Sequence, residues 1–217
     1  LPKLADGPFA GFPRVFEIAW AFVAHTDSHF QGDMLTRFLD GYQSETPLDI
    51  GELWALPTSI RAVLLENLRR LVDRLIGVQS ARDYADALYE RLKDRRSLAS
   101  FPAALREFRS KLLRDAFLAQ FVQRLRATQA TDGDLGPTLL ESGIDPDEEL
   151  RAALEEEQSR MATSLLIAAN TVRSMKEIAR FDWSEFVETH SDLHARLARA
   201  PGYLQSDFRT RDAWRRI

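Results

Sequence analysis

The sequence contains no cysteine. Disulfide bonds and thiolate chemistry are therefore excluded, and the composition is compatible with a reducing compartment. No apolar run approaches the ~20 residues that a helix needs to cross a bilayer. An excess of basic residues is missing as well, since 29 Lys and Arg stand against 33 Asp and Glu and leave a net charge of −4. Because nucleic-acid-binding domains usually carry a basic balance, we expect no nucleic-acid partner.

Strand patterns are also missing. Alternation of apolar and polar residues is not sustained anywhere, and no Asn-Gly or Asp-Gly turn lies between two such runs. Apolar residues instead recur with helical spacing, as in the stripe Val15, Ile18, Ala19, Phe22 and Val23. With 45% hydrophobic and 29% charged residues the chain can bury a core. We predict an all-α fold: an irregular bundle of about eight helices, one or two of them long, with no sheet.

The third predicted helix has the clearest start. Asp49 and Glu52 have the spacing of a capping box, in which each side chain satisfies the other residue's free amide. Pro57 then falls inside the helical pattern, where it removes the hydrogen bond to the carbonyl of Leu53. A kink or a restart of the helix is expected at this point.

Two further helices are predicted, over about 80–96 and from Ser100 to Leu125. Residues 128–143 then contain four glycine or proline residues and several small polar ones, and they are the best candidate for a linker. We therefore divide the chain into an N-terminal helical lobe (1–127), this linker-like segment (128–143) and a C-terminal long-helix segment (144–217). The last is expected to pack on the first lobe as one domain.

The C-terminal segment begins with a strong helix-start signal. Asp145 can act as the N-cap, Pro146 suits the first helical position, and acidic residues follow where the helix dipole favours them. The apolar pattern then continues to Arg180, so that an unbroken helix would be about 50 Å long at 1.5 Å per residue. Asp182 is placed to cap a shorter helix after it.

Two pairs of histidines have the i, i+4 spacing of metal ligands on a helix: His25 with His29, and His190 with His194. Residues 26–28 look like a helix end inside the first pair, and a predicted helix cap interrupts the second. Neither pair has the glutamate that zinc enzymes of the His-Glu-x-x-His type require beside the first histidine. We interpret these residues as helix-end or surface histidines and keep an independent metal-dependent hydrolase as a third hypothesis.

Asn67 lies beside the apolar stripe of the third helix, where a buried amide must find hydrogen-bond partners. A structural hydrogen bond to a neighbouring helix end, near Asp27 or Trp54, is the simpler interpretation. A polar cleft or interface formed by His25, Asp27, Trp54 and Asn67 is the alternative, and it would suit a glycan- or nucleotide-sugar-binding module. The sequence has no Gly-rich phosphate loop and no Gly-x-Ser-x-Gly elbow. We assign no catalytic, cofactor-binding or metal-ligating residue.

Arginines gather at the C-terminal end of the chain. They could contact anionic lipid or a phosphate, complement the carbonyl end of the last helix, or simply be solvated. The residues concerned are Arg209, Arg211, Arg215 and Arg216. The four tryptophans could stack on sugars, but on amphipathic helices a place in the core is much commoner.

Three segments carry a resemblance to a known family. The first is residues 4–28, which end in Ala-His-Thr-Asp-Ser. The second is residues 48–71, with Gly-Glu-Leu-Trp-Ala at 51–55 and Glu-Asn-Leu-Arg-Arg-Leu at 66–71. The third is residues 170–175 with 182–186. In order and content these segments resemble the amino-terminal cytoplasmic helical region of bacterial cyclic β-1,2-glucan synthases, whereas residues 72–167 resemble the family only loosely.

The resemblance implies a segment of a large inner-membrane enzyme that builds β-1,2-glucan from UDP-glucose and closes it into a ring. We therefore expect a non-catalytic helical scaffold on the cytoplasmic side of the bacterial inner membrane, ahead of the transferase. Its partners would be other domains of the parent chain, and a membrane could lie near the segment that follows Ile217. The first residue, Leu1, fits a piece of a longer protein.

The resemblance also assigns UDP-glucose and a divalent metal to the parent rather than to this segment. The acidic and Gln-x-x-Arg-Trp motifs of such a transferase do not occur in these residues. We therefore expect no cofactor here.

Overall fold

A computed structural model describes residues 1–92, 101–128 and 146–215. In these ranges the ordered elements are helices, and a single isolated β-bridge joins Lys3 to Pro13. The predicted all-α class is confirmed. The helices of the described residues are α1 (Arg14–His25), α2 (Gly32–Gln43), α3 (Ile50–Leu92), α4 (Phe101–Glu107), α5 (Lys111–Thr128), α6 (Pro146–Arg180), α7 (Trp183–His190), α8 (Asp192–Leu197) and α9 (Phe208–Arg215).

Two compact units make up the fold. Unit 1 combines Leu1–Leu68 with Leu166–Ile217, and unit 2 is Arg69–Leu165. The division falls inside the two long helices, α3 and α6. The linker predicted at 128–143 lies outside the described residues except for Thr128, which ends α5. The predicted lobes on either side of it stay a prediction.

The core of unit 1 is built from the apolar stripes of α1, α2 and the first part of α3. The predicted stripe of α1 is buried in full, with Ala19 wholly inaccessible. Leu35 and Leu39 of α2 and Leu53, Leu56 and Ile60 of α3 are equally inaccessible. Each such side chain contributes about 1.5–3 kcal/mol relative to exposure. Packing of these faces therefore holds unit 1 together.

The predicted capping box opens α3. The Glu52 amide donates to Asp49 Oδ1 at 2.7 Å, and the Asp49 amide donates to Glu52 Oε2 at 3.0 Å. The Glu52 side chain is 0% exposed, and Arg14 meets it from α1 with Nε 2.9 Å from Oε1. Hydrogen bonding to Glu52 raises the pKa of Arg14. The cap is thus also a buried ion pair that ties α1 to α3.

Of the kink or restart expected at Pro57, the restart does not occur, because α3 runs unbroken from Ile50 to Leu92, and the kink stays a prediction. The helix predicted over 80–96 is the second part of α3, and residues 93–96 lie outside the described residues. Leu53, Leu56 and Ile60 flank the proline and are fully buried. Their combined burial exceeds the ~3 kcal/mol that a proline costs inside a helix, so the helix continues through it.

Unit 2 is centred on aromatic rings of α4 and α5. Phe101 lies 4.7 Å from Phe121 between ring centroids, and both rings are buried beside Phe117. The single helix predicted from Ser100 to Leu125 is wrong, since residues 108–110 separate α4 from α5. The break places the ring of Phe108 5.2 Å from that of Phe117. Ser110, a favoured residue type at helix starts, accepts from the Arg114 amide at 3.1 Å as α5 begins.

The C-terminal helices follow their sequence signals closely. The start of α6 at Pro146 and its unbroken course to Arg180 are confirmed, which makes it about 50 Å long. Asp182 Oδ1 accepts from the amides of Ser184 and Glu185, both at 3.0 Å, and so caps α7 as predicted. None of the helices in the described ranges is both long and apolar enough to span a membrane.

Candidate functional site

Residues 26–30, here called the docked turn, follow α1 and have an unusual backbone. Asp27 and Ser28 both have positive φ, 48° and 63°, in the left-handed region that non-glycine residues seldom adopt. Ser28 is buried, and its amide donates to the Val23 carbonyl at 3.0 Å. Because this conformation costs energy, surrounding contacts must hold it.

Side chains from α3 and α6 supply those contacts. Asn67 Nδ2 donates to Ser28 Oγ at 3.3 Å, and Asn170 Nδ2 donates to the Asp27 carbonyl at 3.1 Å. Ser174 Oγ donates to the Ser28 carbonyl and accepts from the Phe30 amide, both at 2.7 Å. Ser174 is completely buried, so its hydroxyl group satisfies two backbone groups that water cannot reach.

The four residues of the sequence-based cleft do not all meet. Asp27 lies in the docked turn, Asn67 contacts it, and His25 ends α1 just before it with Nδ1 2.7 Å from the Ala21 carbonyl. Trp54 lies about 20 Å from Asn67 along α3, at 1.5 Å per residue. Its ring instead packs 6.2 Å from that of Phe208. Three of the four residues share a neighbourhood, and the fourth belongs to the core of unit 1.

The simpler interpretation of Asn67 agrees with this geometry, since its amide bonds to the residue next to Asp27. The sequence did not reveal the two partners from α6, Asn170 and Ser174, because nothing local signals a contact across more than 140 residues. Both lie in the third segment of the family resemblance. The docked turn is therefore the place where parts of all three segments meet.

The histidine pairs are separated by helix ends. His25 is the last residue of α1, and His29 follows in the docked turn. His190 ends α7 with Nδ1 2.8 Å from the Phe186 carbonyl, whereas His194 lies in α8, whose N-cap Ser191 accepts from the His194 amide. In the described ranges, no three His, Cys, Asp or Glu side chains are grouped as metal ligands.

A second polar group in unit 1, here called the Glu188 cluster, comprises Glu188, His194, Tyr203, Arg211 and Arg215. Arg211 Nε and Nη2 donate to the two Glu188 carboxylate oxygens, each at 2.8 Å, and Arg215 Nη1 donates to Oε1 at 2.9 Å. Tyr203 OH lies 3.0 Å from His194 Nδ1. The Arg215 side chain is fully buried, with Phe208 below its guanidinium group.

Burial and charge oppose each other in this cluster. Burial, the largest single influence on Glu188, raises the pKa of its carboxyl group, but Arg211 and Arg215 together bring it below the ordinary 4.5. Burial lowers the pKa of His194 and raises that of Tyr203.

The predicted arginine group is therefore divided. Arg211 and the buried Arg215 pair with Glu188, a partner that none of the alternatives left open for the arginine group included. Arg209 is exposed, and Arg216 lies outside the described residues.

A shallow cavity of about 300 Å³ lies between α2 and α7. Asp33, Asp182 and Glu185 contribute carboxylates to it, and Phe181 and Phe186 contribute aromatic rings. Two of the three carboxylates already have structural partners, since Asp33 pairs with Arg37 at 3.0 Å and Asp182 caps α7. This cavity brings carboxylates and aromatic rings together, so it is the place in unit 1 at which to test for a bound glycan.

Comparison with known proteins supplies the remaining observation. No family model matches the chain. The chain is 33% identical over 207 residues to the cyclic beta-(1,2)-glucan synthase NdvB of Rhizobium meliloti (strain 1021). The match takes in 94% of this chain but only 7% of that protein. The resemblance noted from three segments is confirmed, and it extends through residues that the motifs matched only loosely.

Proposed function

We propose that this chain is a non-catalytic helical scaffold region of a cyclic β-1,2-glucan synthase. The observation that carries the proposal is the docked turn, where parts of the three resembling segments meet. Each polar side chain that reaches the turn from α3 or α6 bonds to the turn itself. Such an arrangement holds the turn against α3 and α6 and gives each of these side chains a structural hydrogen bond.

The Glu188 cluster supports the same proposal. Its carboxylate is shared by two arginines, and its histidine bonds to a tyrosine of the same unit. A general acid or base must be able to exchange a proton with a reacting group. Here the carboxylate of Glu188 bonds to two arginines and the ring of His194 to Tyr203, which suits a structural role.

The activity of the whole synthase is part of the proposal. The chain would belong to a parent that polymerises glucose from UDP-glucose with a divalent metal bound elsewhere in that parent. It would lie on the cytoplasmic side of the bacterial inner membrane, with other domains of the same chain as its partners.

A chimera tests the scaffold role. The matching segment of the Rhizobium meliloti synthase is replaced by this chain, and cells are assayed for the amount of enzyme and for cyclic glucan. We expect the chimera to make glucan. Ser174→Val removes the hydroxyl group that bonds to the docked turn. It should lower the amount of enzyme and the amount of glucan in parallel, and leave the amount of glucan per enzyme molecule unchanged.

The opposite pattern would contradict the proposal. If Ser174→Val left the amount of enzyme unchanged and lowered glucan per molecule, the docked turn would act in catalysis or substrate binding. Transfer of glucose from UDP-glucose by the purified 217-residue chain would do the same.

The cavity between α2 and α7 favours one alternative, a glycan- or nucleotide-sugar-binding module. Calorimetric titration of the chain with β-1,2-glucan oligomers and with UDP-glucose distinguishes the two proposals. Saturable heat that Glu185→Gln abolishes would support the binding module, and a flat trace at millimolar ligand would remove it.

A further inference from the structure

Unit 2 exposes a group of apolar side chains on its two long helices. Those of α3 are Val72, Leu75 and Ile76, which are 45%, 51% and 60% exposed. Those of α6 are Leu154, Met161 and Leu165, which are 41%, 62% and 61% exposed. Single exposed apolar residues are ordinary, but a contiguous set on a soluble surface marks an interaction site.

Helical spacing puts the members of each set on one side of its helix. On α3, Leu75 and Ile76 lie three and four residues after Val72. On α6, Met161 and Leu165 lie seven and eleven residues after Leu154. Leu154 and Leu165 are separated by about 17 Å, or about three turns. The apolar strip on α6 is thus as long as a short helix and longer than most small ligands.

A groove of about 420 Å³ borders this strip within unit 2. It is lined by Leu75 and Ile76 of α3, by Met161 of α6, and by Leu112 and Ala116 of α5. An occupant could therefore insert apolar side chains between three helices rather than rest on a flat surface. Grooves of this form receive amphipathic helices at i, i+3, i+4 and i+7 positions.

Some of the charged side chains around the groove have ion-pair partners and others have none. Arg82 pairs with Glu157, and Arg160 with Glu156 and Asp115, so these charges are compensated. Arg74 lines the groove, and Arg151 lies one turn before Leu154 on the same side of α6. Among the described residues neither Arg74 nor Arg151 has a hydrogen-bond or ion-pair partner. Among the charged side chains that line the groove, the one without a partner, Arg74, is therefore positive, and Arg151 adds a positive charge beside the apolar strip of α6.

We infer that this surface, here called the α3–α6 groove, binds an amphipathic helix of about three to four turns with acidic residues beside its apolar side. The apolar side fills the groove, and the acidic residues meet Arg74 and Arg151. An occupant with basic residues beside its apolar side would meet like charge at Arg74, which disfavours it. This inference rests on the proposed function, in which the chain is part of a longer synthase that supplies the helix. The Rhizobium meliloti relative is such a protein, since this chain matches only 7% of it.

Labelled peptides of about 18 residues test the inference. One peptide has leucines at i, i+4, i+7 and i+11 with glutamates beside them, and a second has lysines in place of the glutamates. Fluorescence anisotropy with the full chain should show saturable binding of the glutamate peptide, at least fivefold tighter than that of the lysine peptide. Ile76→Ser with Met161→Ser should weaken it at least tenfold.

A charge reversal and a matched control complete the design. Arg74→Glu with Arg151→Glu should reverse the preference toward the lysine peptide, which a general loss of folding could not do. Leu204 is 60% exposed, as is Ile76, but it lies in unit 1, so Leu204→Ser should leave peptide binding unchanged.

Three results would overturn the inference. The first is equal binding of the two peptides, or binding that the groove variants do not change. The second is a chain that sedimentation shows to dimerise, with Ile76→Ser dissociating the dimer and no peptide competing, because the occupant is then a second copy. The third is binding of phosphatidylglycerol vesicles through Ile76 without peptide binding. None of these measurements involves glucan or the amount of enzyme. Failure of the groove inference can therefore be distinguished from failure of the scaffold proposal.

Discussion

The ring of Phe181 lies against the bare backbone of Gly32. A Cβ atom on Gly32 would lie far inside contact distance of Cε2 of that ring. The ring cannot easily give way, because it also packs 5.5 Å from Phe30 and 4.9 Å from Trp183. Glycine at the first position of α2 is therefore what lets the start of that helix approach the end of α6.

Gly32→Ala should consequently destabilise unit 1. Overpacking of this kind costs about 1–3 kcal/mol, and the urea midpoint should fall accordingly. Gly41 provides the control on the same helix, since no atom lies within 4 Å of its Cβ position. Gly41→Ala should be neutral or stabilising by up to about 1 kcal/mol, from helix propensity alone. Equal effects of the two substitutions would contradict this account.

Ser174 offers a second test, on the docked turn. Ser174→Ala leaves the Ser28 carbonyl and the Phe30 amide buried without a partner, at a cost of about 1–3 kcal/mol for each group left unsatisfied. Thermal and urea unfolding should both report the loss. For Ser159→Ala, at an exposed position of the same helix, the free energy of unfolding should stay within about 0.5 kcal/mol of that of the unsubstituted chain. A Ser174→Ala variant as stable as the Ser159→Ala control would show that the turn does not depend on this hydroxyl group.

The sequence predicted those parts of the fold that depend on neighbouring residues. The capping box at Asp49 and the cap at Asp182 have local signatures, and both are confirmed. The helix does not restart at Pro57, because the local cost of the proline is outweighed by long-range burial that one sequence window does not contain. The break at residues 108–110 was missed for the same reason, since it follows from where the Phe108 ring packs.

The candidate site could be predicted only in part. Asn67 was recognisable as an amide beside an apolar stripe, but its partner Ser28 has a positive φ that nothing in its type requires. Trp54 was grouped with it although their separation along one helix keeps them apart. Glu188 was not recognised as the centre of an ion-pair cluster, because a lone acid on a short helix gives no sign of the two arginines that reach it from α9.

The buried Glu52 should make Arg14 essential for stability. Arg14→Ala leaves a carboxylate with 0% side-chain exposure without its cation, and removing one member of a buried pair costs about 3–5 kcal/mol. Arg37→Ala is the control, because Arg37 and its partner Asp33 are both largely exposed and such a pair is worth about 0.3–0.5 kcal/mol. Chemical denaturation should separate the two variants clearly. Adding Glu52→Gln to Arg14→Ala should restore part of the loss, and a further loss would mean that the capping role of Glu52 outweighs its charge.

The Glu188 cluster should make unit 1 sensitive to acid. Arg211 and Arg215 hold the pKa of Glu188 below its ordinary 4.5 against the opposing effect of burial. A carboxyl group whose pKa is lower in the folded state binds fewer protons there than in the unfolded chain. Its stabilising contribution is thus complete above about pH 4.5 and is lost as the pH falls through the lower, folded-state value. The free energy of unfolding, measured by urea titration from pH 7 to pH 3, should decline in that acidic range.

Glu188→Gln tests whether the decline comes from this residue. The variant should be less stable than the unsubstituted chain at pH 7, because Arg211 and the buried Arg215 lose their counter-charge. This difference in stability should shrink as the pH falls below 4.5. Glu185→Gln, an exposed position on the same helix, should leave the pH profile unchanged. His194 also faces the cluster, with its pKa lowered by burial, so His194→Gln should be measured beside them. The stability difference between Glu188→Gln and the unsubstituted chain could instead stay constant from pH 7 to pH 3. That result would show that Glu188 contributes through its shape and hydrogen bonds rather than through its charge.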